Sequence, residues 1–278
     1  MQIQLLRTFD EFSACERLQD EVWGTLGAGR ELMAVTQKYA GVVLGALVGK
    51  KVVGFLYAIL ARRHGRLIHW SHMMAVREGF RDLGLGFRMK LAHRNIALAE
   101  GIQSICWTYD PLQSRNATLN LTRLAAEVEE YVPNCYGPFA STIERGVPSD
   151  RFVVNWRIAS AAVIRRLKDG PANLGAIADT PRANLTRVNP KGLLENVRLD
   201  VRLRAPRVLV EIPAQTDTMR SKAPELALRW RMETRRIFQH SFAVGYRVAG
   251  FVSPTAATAQ KCFYVLDRKR SRRALASM

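Results

Sequence analysis

Residues 73–90 read Met-Met-Ala-Val-Arg-Glu-Gly-Phe-Arg-Asp-Leu-Gly-Leu-Gly-Phe-Arg-Met-Lys, and this stretch carries the clearest chemistry in the chain. An apolar run ends at Val76, a turn of the form Arg81-x-x-Gly84-x-Gly86 follows, and a helical pattern starts at once. Two glycines let the backbone approach a ligand closely and turn its N–H groups one way. The first turn of the helix adds N–H groups without carbonyl partners and the positive end of the helix dipole, so the place suits a phosphate. Arg81, Arg88 and Lys90 add full charges able to pair with phosphate oxygens. The pattern lacks the Gly-Lys-Ser/Thr ending of a P-loop. It also has Met89 where a dinucleotide fingerprint needs its third glycine.

The elements that must position this turn follow from periodicity. Residues 3–9 read as a strand, and Asp10 can cap a helix carrying Phe12, Cys15, Leu18 and Val22 at helical spacing. Residues 41–49 and 51–60 form two β-rich runs joined by Gly49-Lys50-Lys51, a hairpin, and residues 67–76 form the strand entering the turn. A helix over 85–100 ends at Gly101, a strand over 103–109 closes at Asp110-Pro111, and a helix opens at Ser114 or Asn116. Strands over 128–132 and 152–158 flank the loop 134–138. Strands interrupted by helices argue for an α/β or α+β sheet rather than a bundle. A short helix over 159–168 leads into 169–190, rich in Gly, Pro, Asn and Thr, which reads as a linker. The second part, 191–278, carries strands near 197–203 and 207–212, an amphipathic helix over 224–243 with its arginines outward, and strands near 246–252 and 262–266. It repeats only the order strand, helix, strand, strand.

With 278 residues, 48% hydrophobic and 24% charged, the chain can bury a sizeable core, which excludes a mainly disordered or disulfide-stapled protein. Its apolar runs reach about ten residues where a membrane helix needs about twenty, and no secretory signal opens the sequence. The expectation is a cytoplasmic protein with no membrane partner. Cys15, Cys106, Cys135 and Cys262 show no CxxC spacing and the five histidines form no HxxxH pair, so no metal is expected. The net charge of +18 is uneven: residues 1–158 carry +4 and residues 159–278 carry +14. Such a charge favours anionic partners, nucleic acid among them, and residues 268–273 read as a basic arm.

The motif over 73–90 resembles motif A of the GCN5-related N-acetyltransferase (GNAT) superfamily, a strand ending in Ala-Val followed by Arg/Gln-x-x-Gly-x-Gly/Ala opening a helix. The resemblance covers residues 1–158, and the stretch Asp110…Ser114-Arg115-Asn116-Ala117 with Arg123-Leu124 resembles the family's second cofactor-contacting helix. It implies a mixed, mostly antiparallel sheet flanked by helices, with 191–278 a smaller α/β part that echoes a degenerate second half. It implies an acetyl-CoA co-substrate and direct attack by an acceptor amine on the thioester. Backbone groups of Met74, Ala75 and Val76 would pair with the pantetheine arm. N–H groups of Arg81, Asp82, Leu83, Gly84, Leu85, Gly86 and Phe87 would hold the pyrophosphate. Asn116 or Asn120 would reach the pantetheine amides, although the family's usual asparagine position falls nearest Ser114.

The tyrosine that often protonates the leaving thiolate falls at Leu121, and Tyr136 is the substitute, with Tyr109 and Tyr131 weaker. Alternation puts Trp70, His72 and Met74 on one face of the strand and Ser71, Met73 and Ala75 on the other. His72, with an ordinary pKa near 6.5, is the candidate base, and Asp110 a comparable one. Arg229, Arg231, Arg235 and Arg236 would wall a pocket selecting an anionic acceptor. The alternatives are a catalytically degenerate CoA-binding module and a nucleic-acid-binding protein. The second part is open to lining the site, forming a homodimer or binding another partner.

Overall fold

The computed structural model describes residues 1–24, 27–137, 146–175, 177–202, 204–254, 258 and 260–268. β1 (Gln2–Leu5) leads into α1 (Phe9–Trp23). Thr8 rather than Asp10 caps α1: its side chain accepts from the Glu11 N–H while the Glu11 carboxylate accepts from the Thr8 N–H, a capping box. A second helix, α2 (Arg30–Val35), runs on as a π-helical turn over Thr36–Ala40, an element the sequence pattern did not reveal. Then come β2 (Gly41–Val48), β3 (Lys51–Arg63), β4 (Arg66–Val76), α3 (Leu85–Ala99) and β5 (Ser104–Tyr109). After β5, α4 (Ser114–Ala117) passes into a π-helical turn over Thr118–Arg123, followed by β6 (Glu127–Val132) and β7 (Arg151–Arg157).

These strands form one seven-stranded sheet in the order β1-β2-β3-β4-β5-β7-β6. Every neighbouring pair is antiparallel except β4 and β5. The fold is therefore the mixed, mostly antiparallel sheet that the sequence resemblance implies. β2 and β3 are buried on both sides, which is why they read as continuous apolar runs rather than alternating ones. On one face Leu6, Phe12, Cys15, Leu18 and Met33 pack with Val43, Phe55 and Tyr57. On the other, Leu85 and Met89 of α3 pack with Val42, Leu44, Leu56 and Ala58.

The second part begins with α5 (Ala161–Asp169), capped by Ser160, and continues through β8 (Asn184–Val188), β9 (Leu194–Leu199), β10 (Arg207–Pro213), α6 (Thr216–Lys222), α7 (Pro224–Ala243), β11 (Tyr246–Val252) and β12 (Lys261–Arg268). The stretch read as a linker thus contains a strand: Asn184 and Leu185 pair with Leu199 and Arg198 of β9. The parts do not have separate cores. Ile105, Trp107, Tyr109, Phe152 and Trp156 of the large sheet lie in one cluster with Val208, Ile212, Trp230, Phe238 and Tyr264. The basic arm proposed at 268–273 lies, beyond Arg268, outside the described residues, as does Pro138 of the loop 134–138.

The echo between the halves is more than an order of elements. β10-β12-β11 has the same antiparallel arrangement as β5-β7-β6, with the last strand inserted between the other two. Packing is reciprocal: the π-helical turn after α4 lies on β11, and α7 lies on β6. The loops after β5 and β10 exchange bonds in the same sense. Ser114 Oγ donates to the Ala214 carbonyl, and Thr216 Oγ1 donates to that of Leu112. The two β-α-β-β units thus share a strand order and pack against each other reciprocally. The second unit even begins like the first, since Arg182 makes a parallel bridge to Leu209 before β8 turns away from β10. There the gap is filled from within: the Asn184 side chain donates to the Glu211 carbonyl and accepts from the Glu211 N–H.

Candidate functional site

β4 and β5 pair only through His69 with Ile105 and Trp70 with Cys106, and beyond that the strands part. β4 is also bulged at this place. Against β3, Met73 stands opposite Tyr57 and Ser71 opposite Ala58, which leaves His72 between them without a register partner. A bulge puts two successive residues out of alternation, and this overturns the simple assignment of faces. Ser71 and Met74 share the α3 face, the first bonded to Lys90 and the second packed in the α3 cluster. His72 stands edge-on to Tyr57 on the α1 face, ring centroids 6.1 Å apart, where Met73 and Ala75 also pack. His72 is exposed at one edge, yet the surrounding walls desolvate its imidazolium and lower its pKa below the ordinary histidine value.

The turn after β4 is built as its glycines demand. Asp82 has φ +63° and Gly84, the residue capping α3, has φ +74°. A Cβ at Gly84 would have nothing within 4 Å, so the backbone there faces open space. The first helical bond runs from the Arg88 N–H to the Gly84 carbonyl, and Leu85, Gly86 and Phe87 contribute the donors of the opening turn. Gly86 answers to packing: a Cβ there would touch Met74 Cε at 3.4 Å. Met74, Ala75 and Val76 form the end of β4 beside this turn. Leu83 is exposed, and the Asp82 carboxylate pairs with Arg115 at 3.3 Å.

The charges around the turn are placed differently from expectation. Arg81 donates through Nε to the Val76 carbonyl, bracing the turn, and Arg88 reaches across to the Met1 carbonyl. Lys90 is not a surface cation. One helical turn beyond Gly86, it points inward, is 2% exposed, donates to Ser71 Oγ at 3.0 Å and lies 3.5 Å over the Trp107 ring. Burial pushes its pKa down to about 7. Next along α3, His93 stacks on His69, with His69 Nδ1 and His93 Nε2 3.0 Å apart, and His69 Nε2 lies 3.0 Å from Glu100. With Glu100 as acceptor, His69 carries its proton on Nε2, and His93 donates to its Nδ1. Burial, then the nearby Lys90 and His69, hold His93 well below the ordinary histidine pKa. The Lys90, His93 spacing of three along a helix was the sequence signal for this cluster, since both fall on the face of Met89 and Leu85.

Of the second-helix candidates, Asn116 is exposed, Asn120 is buried in the π-helical turn, and Ser114 is engaged with Ala214. Leu121 is buried in the shared core. Tyr136 lies over β5 on the face of Cys106 and Thr108, its hydroxyl 2.6 Å from Thr108 Oγ1 and its ring beneath the Arg151 guanidinium. Because Trp70 and Cys106 are register partners, that face is also the His72 face. His72 and Tyr136 thus flank the parting from its two arms, on one side of the sheet.

Asp110 belongs to another structure. Its carboxylate is buried, lies 2.5 Å from Arg220 and 2.6 Å from Arg231, and accepts from the Leu112 N–H. Burial alone would raise its pKa, but Arg231 and Arg220 outweigh it and hold the carboxyl far below the usual range. A carboxylate so stabilised takes up a proton poorly at neutral pH, so its surroundings do not suit a general base. Asp150, beside it, accepts from Tyr131 and from both Nε and Nη2 of Arg235. Arg231 and Arg235 therefore face inward and are compensated, and Arg229 pairs with Glu195. Of the four arginines read as a pocket wall, Arg236 is the exposed one with no role in these pairs.

Two hollows lie outside the parting of β4 and β5. One of about 430 Å³ is lined by both signs of charge, Asp10 and Glu11 with Arg17, Lys50, Lys51 and Arg77, and one of about 230 Å³ sits beside Asn184. No helix among the described residues is long and apolar enough to cross a membrane.

Among solved structures, the chain is similar to Ard1 from Thermoplasma volcanium, at 14% identity over 55% of this chain and 95% of that one, with a TM-score of 0.45. It is similar to the ribosomal-protein-S18-alanine N-acetyltransferase from Escherichia coli, at 13% identity over 58% and 95%, with a TM-score of 0.46. An acetyltransferase of the GNAT family from Streptococcus pneumoniae gives 14% identity over 55% and 96%, with a TM-score of 0.44. No family model and no curated protein matches the chain.

Proposed function

We propose that residues 1–158 form an acyl-CoA-dependent N-acetyltransferase, with acetyl-CoA as donor and an amine as acceptor. The observation that carries this reading is the parting of β4 from β5 at the His72 bulge, with the open, Gly84-capped start of α3 at its mouth. The residues fit the co-substrate. The edge of β4 away from β3 at Met74, Ala75 and Val76, which has no register partner on β5, offers strand-like bonds to the amides of a pantetheine arm, and the N–H groups from Arg81 to Phe87 suit a pyrophosphate. Asn116, beside Arg115 at the exposed start of α4, is the better placed of the two asparagines for contact with the arm.

Acetyl-CoA supplies an activated acyl group; the chain must remove a proton from the amine and hold the reactants. His72, uncharged at neutral pH because its pKa is lowered, accepts that proton on the α1 face. Tyr136, across the parting, offers its hydroxyl to the leaving group. Asp110 positions the loop after β5 through Arg220 and Arg231 rather than moving protons.

Calorimetric titration with acetyl-CoA and CoA tests this reading. Micromolar binding by the native chain, lost in Gly84→Asp because a carboxylate then occupies the anion cradle, is the expected result. Absence of binding by the native chain overturns it.

A further inference from the structure

Lys90 is a buried amine whose protonated form meets no opposite charge in its surroundings. Ser71 from β4 and the Trp107 ring from β5 hold its ammonium. The other titratable groups facing it are His93 on α3 and, behind that, His69 on β4, whose partner is Glu100. Among the described residues no carboxylate forms an ion pair with it, whereas Asp110, Asp150 and Glu211, also buried, each have a cationic partner. Burying an ammonium without an anion is costly. Each of those three buried carboxylates thus has a cation, whereas the ammonium of Lys90 is met only by a hydroxyl and a ring face.

Its location indicates what can meet it. Ser71 and Trp107 are the residues immediately after the last register pair of β4 and β5, Trp70 with Cys106. Lys90 Nζ thus sits at the vertex where the strands begin to part, on the α3 side.

We propose that Lys90 is a positioning residue that, held by Ser71, places its protonated ammonium behind the vertex and holds a sulfur lodged between β4 and β5 in its thiolate form. The inference rests on the acyl-CoA reading above. As the acceptor nitrogen bonds to the acyl carbon and the C–S bond breaks, the electron pair stays on sulfur, the amine proton leaves to the base, and Lys90 keeps its own proton. A thiolate at the vertex is the missing counter-charge, and it in turn raises the affinity of Lys90 for its proton. The arrangement answers the absence of a tyrosine at Leu121, because the leaving group is stabilised by charge whether or not a proton reaches it at once.

The test is the ultraviolet absorbance of CoA bound to the full chain, titrated with pH, in the native protein, Lys90→Met and Lys90→Arg. Methionine keeps the packing and removes the charge; arginine keeps the charge. The thiol of bound CoA is expected to ionise about one unit or more lower in the native protein than in Lys90→Met, with Lys90→Arg close to the native value. Equal thiol pKa values in the native protein and in Lys90→Met, with CoA bound to both, overturn the role of Lys90 while leaving the acyl-CoA reading intact. If the native chain binds no CoA, the acyl-CoA reading falls and this inference with it, and the lost binding signal tells the two failures apart. Thermal unfolding of the variants separates a lost charge from a lost fold.

Discussion

His72 and Asp110 show how differently two candidate bases can be treated by their neighbours. Burial lowers the pKa of His72, so the acid limb of acetyl transfer should lie below the ordinary histidine value of about 6.5, with a plateau above it. Replacing His72 by Asn should reduce kcat by about 10² or more and abolish that limb; a pH–rate profile decides. Asp110 is a stability residue. Its pKa is lowered in the folded state, so its contribution is complete above the unfolded carboxylate value of about 4 and is lost as pH falls below it. Asp110→Asn should cost about 3–5 kcal/mol in urea unfolding at pH 7, because two buried guanidinium groups lose their counter-charge, and the loss should shrink in acid. A variant as stable as the native chain at pH 7 would contradict this. Neither environment was legible from sequence: Arg220 and Arg231 stand more than a hundred residues from Asp110.

At the scale of single elements, the turn from Val76 into α3 was the most legible feature, because it is local. Its glycines, its apolar approach and its helix lie within twenty residues of one another. The Gly84→Ala variant isolates backbone from charge: it should cost roughly 1 kcal/mol for the positive φ, yet bind CoA far better than Gly84→Asp, since nothing crowds the new Cβ. Equal loss in both would mean that steric space, not anion binding, is what the position requires. The β4 bulge was not legible. Alternation is a two-residue rule, and one extra residue at His72 reverses it for everything that follows, so Ser71 and Met74 came to share a face. Lys90 was misplaced for a related reason: a lysine beside two arginines reads as surface charge unless its helical phase with Met89 and His93 is followed.

For the whole molecule, the boundary near residue 158 separates sequence patterns but not cores. Trp107, Phe152 and Trp156 are covered by Trp230, Phe238 and Tyr264. A chain ending at residue 158 should therefore expose a large apolar face and aggregate or unfold, and cooperative thermal unfolding of that fragment would refute a shared core. The high charge of the second part reads differently in this light. Arg182, Arg207, Arg220, Arg231 and Arg235 are partners of Glu211, Asp267, Asp110 and Asp150, so these five are structural clamps rather than parts of an open anion-binding face, and the net excess rests mainly on the other cations. Composition counts charges but cannot say which are already compensated.

The reciprocal bonds between the loops after β5 and β10 set the order of events while the chain is being made. Leu112 and Ser114 leave the ribosome with their partners, Ala214 and Thr216, still a hundred residues away. At about 5–20 residues per second, roughly 6–24 s pass between residue 158 and residue 278. Through that interval β1 to β4 can assemble with α1 and α3, while β5, β6 and β7 wait with their aromatic face bare. The nascent protein then carries exposed apolar surface until the second part is made, and the loop after β5 becomes rigid last.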